Sequence, residues 1–336
     1  MGLISYALRG NYKGYWESLK GVSKECGKKP LFLFIDTALC FVFFGSGLQD
    51  YLDYRFYDKS WKERSTFATI GTMDKATKIL CPIKWSPFIS NKLAFHKNYA
   101  AFTHRDYVNF EEGFEGFEAF IEKHPTFVVK PQIGLGGESV RVMKREEIDD
   151  LKKFYDKCAE ESTLIEELIE QDPSWARMSK RSINTVRIVT GIVGDDVRIL
   201  SATCRFGAGD SIADNIHSGG CCAYVNLETG KIEGDAMNMK MERFKTAYDG
   251  TPFDGTPIPY WPEIQELCKQ AARVNNEIHL VGWDVALAKD GPLLIEGNRG
   301  PGFDLVQIPT QKGAKWMIDD LIKRVRAYEK AQGKKA

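Results

Sequence analysis

Gly282-Trp-Asp-Val-Ala-Leu-Ala-Lys-Asp-Gly-Pro-Leu-Leu-Ile-Glu-Gly-Asn298 reads as two apolar strands joined at Asp290-Gly291, a strong hairpin signal. With a Lys289-Asp290-Gly291 loop, Ala288 faces Pro292 and Asp284 faces Glu296. Strand side chains alternate faces, so Asn298 shares the side of Glu296. A two-residue loop shifts this pairing by one position. Both acids sit inside apolar runs, where bare carboxylates suffer desolvation and mutual repulsion. A hard cation with oxygen ligands resolves that conflict, and Mg²⁺ bound together with phosphates is the usual case. Asp284, Glu296 and Asn298 are therefore the candidate metal ligands.

Upstream lies a candidate phosphate partner. Phe127-Val-Val-Lys-Pro131 is a short apolar strand ending in Lys130, followed by the glycine-rich Gln132-Ile-Gly-Leu-Gly-Gly-Glu-Ser-Val140 and a strand at 139–143. Strand, glycine turn, strand makes a hairpin flap. No Gly-Lys-Ser/Thr is present, so a Walker loop fails, and the protein-kinase order of glycine loop before lysine is reversed. Glycines let backbone N–H groups approach phosphate oxygens, while Lys130 supplies a point charge.

In order, these motifs resemble the ATP-grasp superfamily. The resemblance is carried by Asn91-Lys92, Val128-Val-Lys-Pro131, Gly134 to Gly137, Leu164-Ile-Glu-Glu-Leu-Ile169, Arg187, Arg205, Asn215 with Gly219-Gly220, Asp284, and Glu296-Gly-Asn298. Within it, Gly47-Leu-Gln-Asp-Tyr-Leu-Asp-Tyr54 with Arg64, Asn184-Thr-Val-Arg-Ile-Val-Thr190 and Asp214-Asn-Ile-His-Ser-Gly-Gly220 look similar to the sugar-transfer-associated group, related to glutamate-ligase-like proteins of cell-surface polysaccharide clusters. The resemblance implies an α+β fold of two subdomains clamping a nucleotide, at 91–161 and 162–336, behind a mainly helical region at 1–90. It implies ATP and one or two Mg²⁺ ions, or Mn²⁺ in their place. Lys92 and Lys130, with Gly134, Gly136 and Gly137 of the flap, would contact ATP. Lys97 is an alternative to Lys92 on the same helix. Glu166 and Glu167 cannot share a face; one would accept from the adenine amino group while the backbone of Glu167 and Ile169 reads the ring edge. Glu170 or Asp172 would take the ribose. Arg187 and Arg205 would lie near the γ-phosphate and the acyl acceptor, Asn215 would donate to phosphate, and His217 would act as a base for an incoming amine. A structural ion pair competes for Arg187, and plain polar surface for His217.

The reaction so implied activates a small-molecule carboxylate as an acyl phosphate and joins it to an amine, in polysaccharide or small-peptide biosynthesis. The alternatives are a phosphotransferase and a nucleotide-binding module without turnover.

Composition bounds the rest. Forty-six Lys plus Arg balance 46 Asp plus Glu, which argues against binding nucleic acid by general electrostatics. Eight cysteines lack Cys-x-x-Cys spacing and read as reduced thiols. No secretion signal is evident, so the expected location is cytoplasmic. Leu31 to Gly45 is strongly apolar but short and carries Asp36; it reads as a buried helix, with a membrane-associated helix as the alternative and no stable membrane insertion expected. Helices are expected at 12–22, 31–44, 49–62, 91–104, 146–158, 264–274 and 313–328, a short one within 110–124, and strands at 164–169, 182–193 and 196–206. The 240–261 stretch reads as a substrate-side excursion. Oligomeric state is not legible.

Overall fold

The computed structural model describes residues 11–134, 140–210, 214–216 and 219–333. Two antiparallel sheets organise them. The smaller is β2-β1-β3, from Thr126–Pro131 (β1), Arg141–Lys144 (β2) and Thr163–Glu167 (β3). The larger runs β11-β10-β4-β5-β6-β8-β9. Its strands are Thr185–Val193 (β4), Asp196–Phe206 (β5), Cys221–Asn226 (β6), Lys231–Ile232 (β7, paired only to β6), Ala236–Met237 (β8), Arg243–Phe244 (β9), Leu280–Ala288 (β10) and Gly291–Arg299 (β11). Expected and observed strands at β4 and β5 agree to within a few residues, because alternation and the Gly194-Asp195 turn mark them unambiguously.

Strand β10 is buried along its whole length. Its neighbours on both sides and the helices Trp261–Arg273 and Lys315–Ala331 build the main core, which includes Trp283, Ile188, Ala202, Ile264 and Leu321. Against the far end of the large sheet packs a helical layer, α1 (Tyr12–Cys26) and α2 (Pro30–Phe44). There Leu19, Leu33, Cys40, Tyr51, Phe56 and Tyr57 meet Ile216, Cys222, Leu305 and Ile308. Helix Ile70–Leu80 packs instead with the main core.

Three helix expectations change. The 49–62 segment is broken into Leu48–Asp53, a 3₁₀ turn at Phe56–Asp58 and Trp61–Arg64. Arg55 takes a left-handed conformation, and Ser60 starts a new helix through a capping box with Glu63. The 91–104 helix breaks at Tyr99 after its first part, Lys92–Asn98, which Asn91 caps by accepting from the Ala94 N–H at 2.9 Å. The 146–158 helix starts later, at Leu151, because Asp150 caps it; the preceding acids form a 3₁₀ turn. The sequence gives no sign of the Asp304–Thr310 helix, because Pro309 disguises it.

Helix α2 forms as expected, but it is buried on one side only. Leu31, Phe32, Ile35, Val42 and Phe43 are all exposed. Among the described residues, no helix is long and apolar enough to cross a membrane.

Candidate functional site

The β10–β11 hairpin closes with a two-residue turn: Ala288 pairs with Gly291 and Leu287 with Pro292. That corrects the expected three-residue loop. Asp284 nevertheless pairs with Glu296, because Ile295 is an extra residue in a β-bulge between the Asp284 and Val285 rungs. The bulge restores the face that the short turn would invert. Asn298, opposite Gly282, then joins both acids: its Nδ2 lies 3.2 Å from Glu296 Oε1 and 3.4 Å from Asp284 Oδ2.

Two glycines permit this arrangement. A Cβ on Gly282 would stand 2.7 Å from Pro301 Cβ and 3.2 Å from Arg187 Cδ. On the other face, a Cβ on Gly297 would stand 2.8 Å from Ile89 and 3.0 Å from Phe95. Glycine between Glu296 and Asn298 lets the 86–98 helices press against the back of the strand.

Asp284 is also held by two arginines. Arg187, its partner across β4–β10, donates through Nε and, at 3.0 Å, through Nη2. Arg205 Nη2 lies 3.0 Å from Asp284 Oδ2 and 3.2 Å from Asp214 Oδ1. Burial alone would raise the Asp284 pKa, but Arg187 and Arg205 outweigh it and hold the carboxyl low. Burial, then the Asp284 charge, pushes Glu296 up. The structural pair weighed for Arg187 is therefore present. Arg299 does not pair with Glu296; it donates to the Cys81 carbonyl.

A second charged group surrounds Glu166 on β3. Lys130 pairs with its Oε1, and Arg105 Nη1 and His96 Nε2 each lie 2.7 Å from Oε2. Burial would raise Glu166, but the charges of Arg105 and Lys130, with the hydrogen bond to His96, hold it well below the ordinary carboxylate range. Burial lowers the pKa of His96 despite that contact. Arg105 also reaches the bulge, donating to the carbonyls of Leu294 at 3.3 Å and Ile295 at 3.5 Å.

A cleft of about 520 Å³ connects the two groups. Lys92, Lys130, Gly134, Glu166, Glu167, Ile169, Arg187, Arg205, Asn215, Asp284, Glu296 and Asn298 all line it. Lys92 Nζ donates to the Gly134 carbonyl at 3.0 Å, and burial lowers its pKa. Lys97 is turned away, 3.2 Å from Glu111. Glu167 accepts from the Asp106 N–H at 3.1 Å. Glu170 is not brought in: it is exposed, pairs with Lys289, and borders a separate cavity of about 550 Å³ with Lys123 and Lys180. Asp172 is likewise outside the cleft, capping the Pro173–Ala176 turn and accepting from Tyr260 at 2.8 Å. Gly136, Gly137 and His217 lie outside the described residues.

Sequence reading assigned no role to Arg105, His96, Thr185 or Asp214. Asp214 accepts from the Thr185 backbone N–H at 3.0 Å and from its hydroxyl, so it orders the strand next to Arg205. Arg105 has no periodic or motif signal, since it follows a short irregular helix. Asp214 stood in a noted motif, and its clue is a lone acid within reach of two strand arginines.

The chain belongs to the sugar-transfer-associated ATP-grasp family, whose model matches residues 74–322. Its fold also resembles solved structures at low identity. The ATP-grasp ligase PsnB, complexed with minimal precursor, is 14% identical, with a TM-score of 0.44, over 79% of this chain and 71% of that one. The D-alanine-D-alanine ligase from Coxiella burnetii is 11% identical, with a TM-score of 0.43, over 75% of this chain and 61% of that one. No curated protein sequence matches the chain.

Proposed function

We propose that this protein is an ATP-dependent carboxylate–amine ligase whose active site is the 520 Å³ cleft. The division into a helical region at 1–90 and clamp halves at 91–161 and 162–336 is part of this reading. The observation that carries it is the charge balance of the cleft wall. Five cations (Lys92, Lys130, Arg105, Arg187, Arg205) stand against six carboxylates (Glu166, Glu167, Asp214, Asp284, Glu296, Asp304). A nucleotide triphosphate adds about four negative charges, which this wall cannot balance alone; divalent cations entering with it can. The donor set fits such a cation: Asp284, Glu296 and Asn298 are hard oxygen ligands on one sheet face, and burial with repulsion raises Glu296. When bound, Mg²⁺ would screen the phosphates and polarise the transferred group.

The protein's own residues then have distinct tasks. Lys92 and Lys130 would bind the phosphates, and the Glu167–Ile169 backbone would hold the base. Arg187 and Arg205 would steady the carboxylate and the phosphoryl oxygens as charge develops. The γ-phosphoryl passes to a carboxylate oxygen and ADP leaves. The amine nitrogen then attacks the acyl carbon, releasing phosphate and a proton. Asn215 would orient phosphate, and the glycine flap would exclude water from the labile acyl phosphate. Small-molecule or peptide substrates, a cytoplasmic location and a place in surface-polysaccharide biosynthesis belong to the same reading.

Thermal denaturation with ATP, with Mg²⁺ and with both tests the first half; only the combination is expected to raise Tm strongly. Incubation with ATP and pools of amino acids and sugar acids, read by mass, tests the second. An amide product with ADP and phosphate supports the ligase. A stable phosphorylated acceptor would replace it with the phosphotransferase. No saturable binding of Mg-ATP overturns the nucleotide site.

A further inference from the structure

Helix α2 is inverted. Its exposed positions are Leu31, Phe32, Phe34, Ile35, Ala38, Leu39, Val42 and Phe43, all apolar. Its polar side chains, Asp36 and Thr37, point inward and are buried. Asp36 receives both terminal nitrogens of Arg64, at 2.7 and 2.9 Å, and the Tyr51 hydroxyl at 2.8 Å. Thr37 meets the Tyr15 hydroxyl at 2.7 Å. This internal network fixes the rotation of the helix, so its apolar side cannot turn inward. Trp61, exposed, extends the patch through an edge contact with Phe43 at 5.4 Å, and Trp16 extends it on the other side through Phe34 at 6.0 Å. A contiguous apolar surface of this kind marks an interaction site.

From this we infer that α2 is an interfacial anchor that docks the protein on an anionic lipid surface. Fifteen residues make a helix of about 22 Å, short of the roughly 30 Å hydrocarbon core, so α2 lies along the surface and does not cross it. The charge around the patch selects the lipid. Residues 11–29 carry Lys13, Lys20, Lys24, Lys28 and Lys29 against only Glu17 and Glu25. Lys29 directly precedes α2, and Lys62 follows Trp61 near its end. Trp61 is a half-exposed aromatic at the rim, the type enriched at the headgroup level. An anionic headgroup layer complements these lysines. The inner side of the same layer shares its core with Ile216 and Leu305, which also line the cleft.

Sedimentation of the full-length protein with phosphatidylcholine vesicles, with or without about one-third phosphatidylglycerol, tests this. Binding to the anionic vesicles only is the expected result. Leu39→Glu with Val42→Glu should weaken it by at least about tenfold, since both side chains are exposed and their burial in lipid is lost. Lys24→Glu with Lys29→Glu should weaken it while leaving Tm unchanged. Melting temperature and Mg-nucleotide binding of Leu39→Glu/Val42→Glu report whether the variant is folded; were it unfolded, Phe43→Ser, also at an exposed site, takes its place. Absence of wild-type binding to anionic vesicles, or binding indifferent to these substitutions, overturns the proposal. Analytical ultracentrifugation gives the other outcome: a wild-type dimer abolished by Leu39→Glu/Val42→Glu would assign the face to a second copy.

Discussion

Arg205 Nη2 lies 3.0 Å from Asp284 Oδ2, so a proposed metal ligand already has a cationic partner from the protein. Arg187 adds a second on the same carboxylate. Asp284 thus serves the fold as well as the site. Asp284→Asn should cost about 3–5 kcal/mol of stability, because two buried guanidiniums lose their shared counter-charge. Urea denaturation without metal or nucleotide measures this. A loss below about 1 kcal/mol would mean the arginines find other partners.

Glu296 should behave in the opposite way. It contacts Asn298 and is repelled by Asp284, and it forms no ion pair with an arginine among the described residues. Glu296→Gln should leave metal-free stability unchanged or raised, since it relieves like-charge repulsion. Magnesium-dependent turnover should fall on the order of 100-fold or more. Early melting with retained turnover would refute the metal assignment.

Lys130→Ala should weaken Mg-nucleotide binding by about tenfold or more. The fold should persist, because Glu166 keeps Arg105 and His96. Glu166→Gln is the contrasting variant: it strips Arg105 and Lys130 together and should be the less stable protein. Calorimetric titration paired with thermal melting separates affinity from folding.

Stability should also depend on pH through the helical layer. Burial pushes the Asp53 carboxyl up to about 7, opposed by a hydrogen bond from Gln49 and reinforced by the charges of Asp50 and Asp304. Burial likewise pushes Asp50 up to about 6. An unfolded aspartate titrates near 4. Between these values the folded chain holds protons that the unfolded chain releases, so this contribution is complete below about pH 4 and is lost as pH rises through 6 to 7. The Tm difference between Asp53→Asn and wild type should therefore grow in favour of the variant from pH 5 to pH 8. A constant difference would show that Asp53 is ionised throughout.

How far the sequence led differs from element to element. Period-two patterning and the Gly194-Asp195 turn locate β4 and β5, and the ordered motifs from Lys92 onward point to the family whose model matches residues 74–322. The pairing of Asp284 with Glu296 was anticipated, but from the wrong loop length. A bulge has no signature in a run such as Leu293-Leu294-Ile295, where any residue fits a buried strand. The apolar character of 31–44 was plain, yet which side faced the protein was not. That depended on Arg64, many residues later, reaching Asp36. Arg105 was silent for the same reason: its meaning lies wholly in partners distant along the chain.

That arginine has a mechanical consequence. One guanidinium grips both Glu166 on β3 and the bulge carbonyls of Leu294 and Ile295, just before Glu296. On the proposed reading, these are the base end and the metal end of the bound nucleotide. Arg105 then acts as a ruler: it sets the span between two contacts without touching the reacting atoms. Closure of the clamp must bend elsewhere, in segments that this strut does not join.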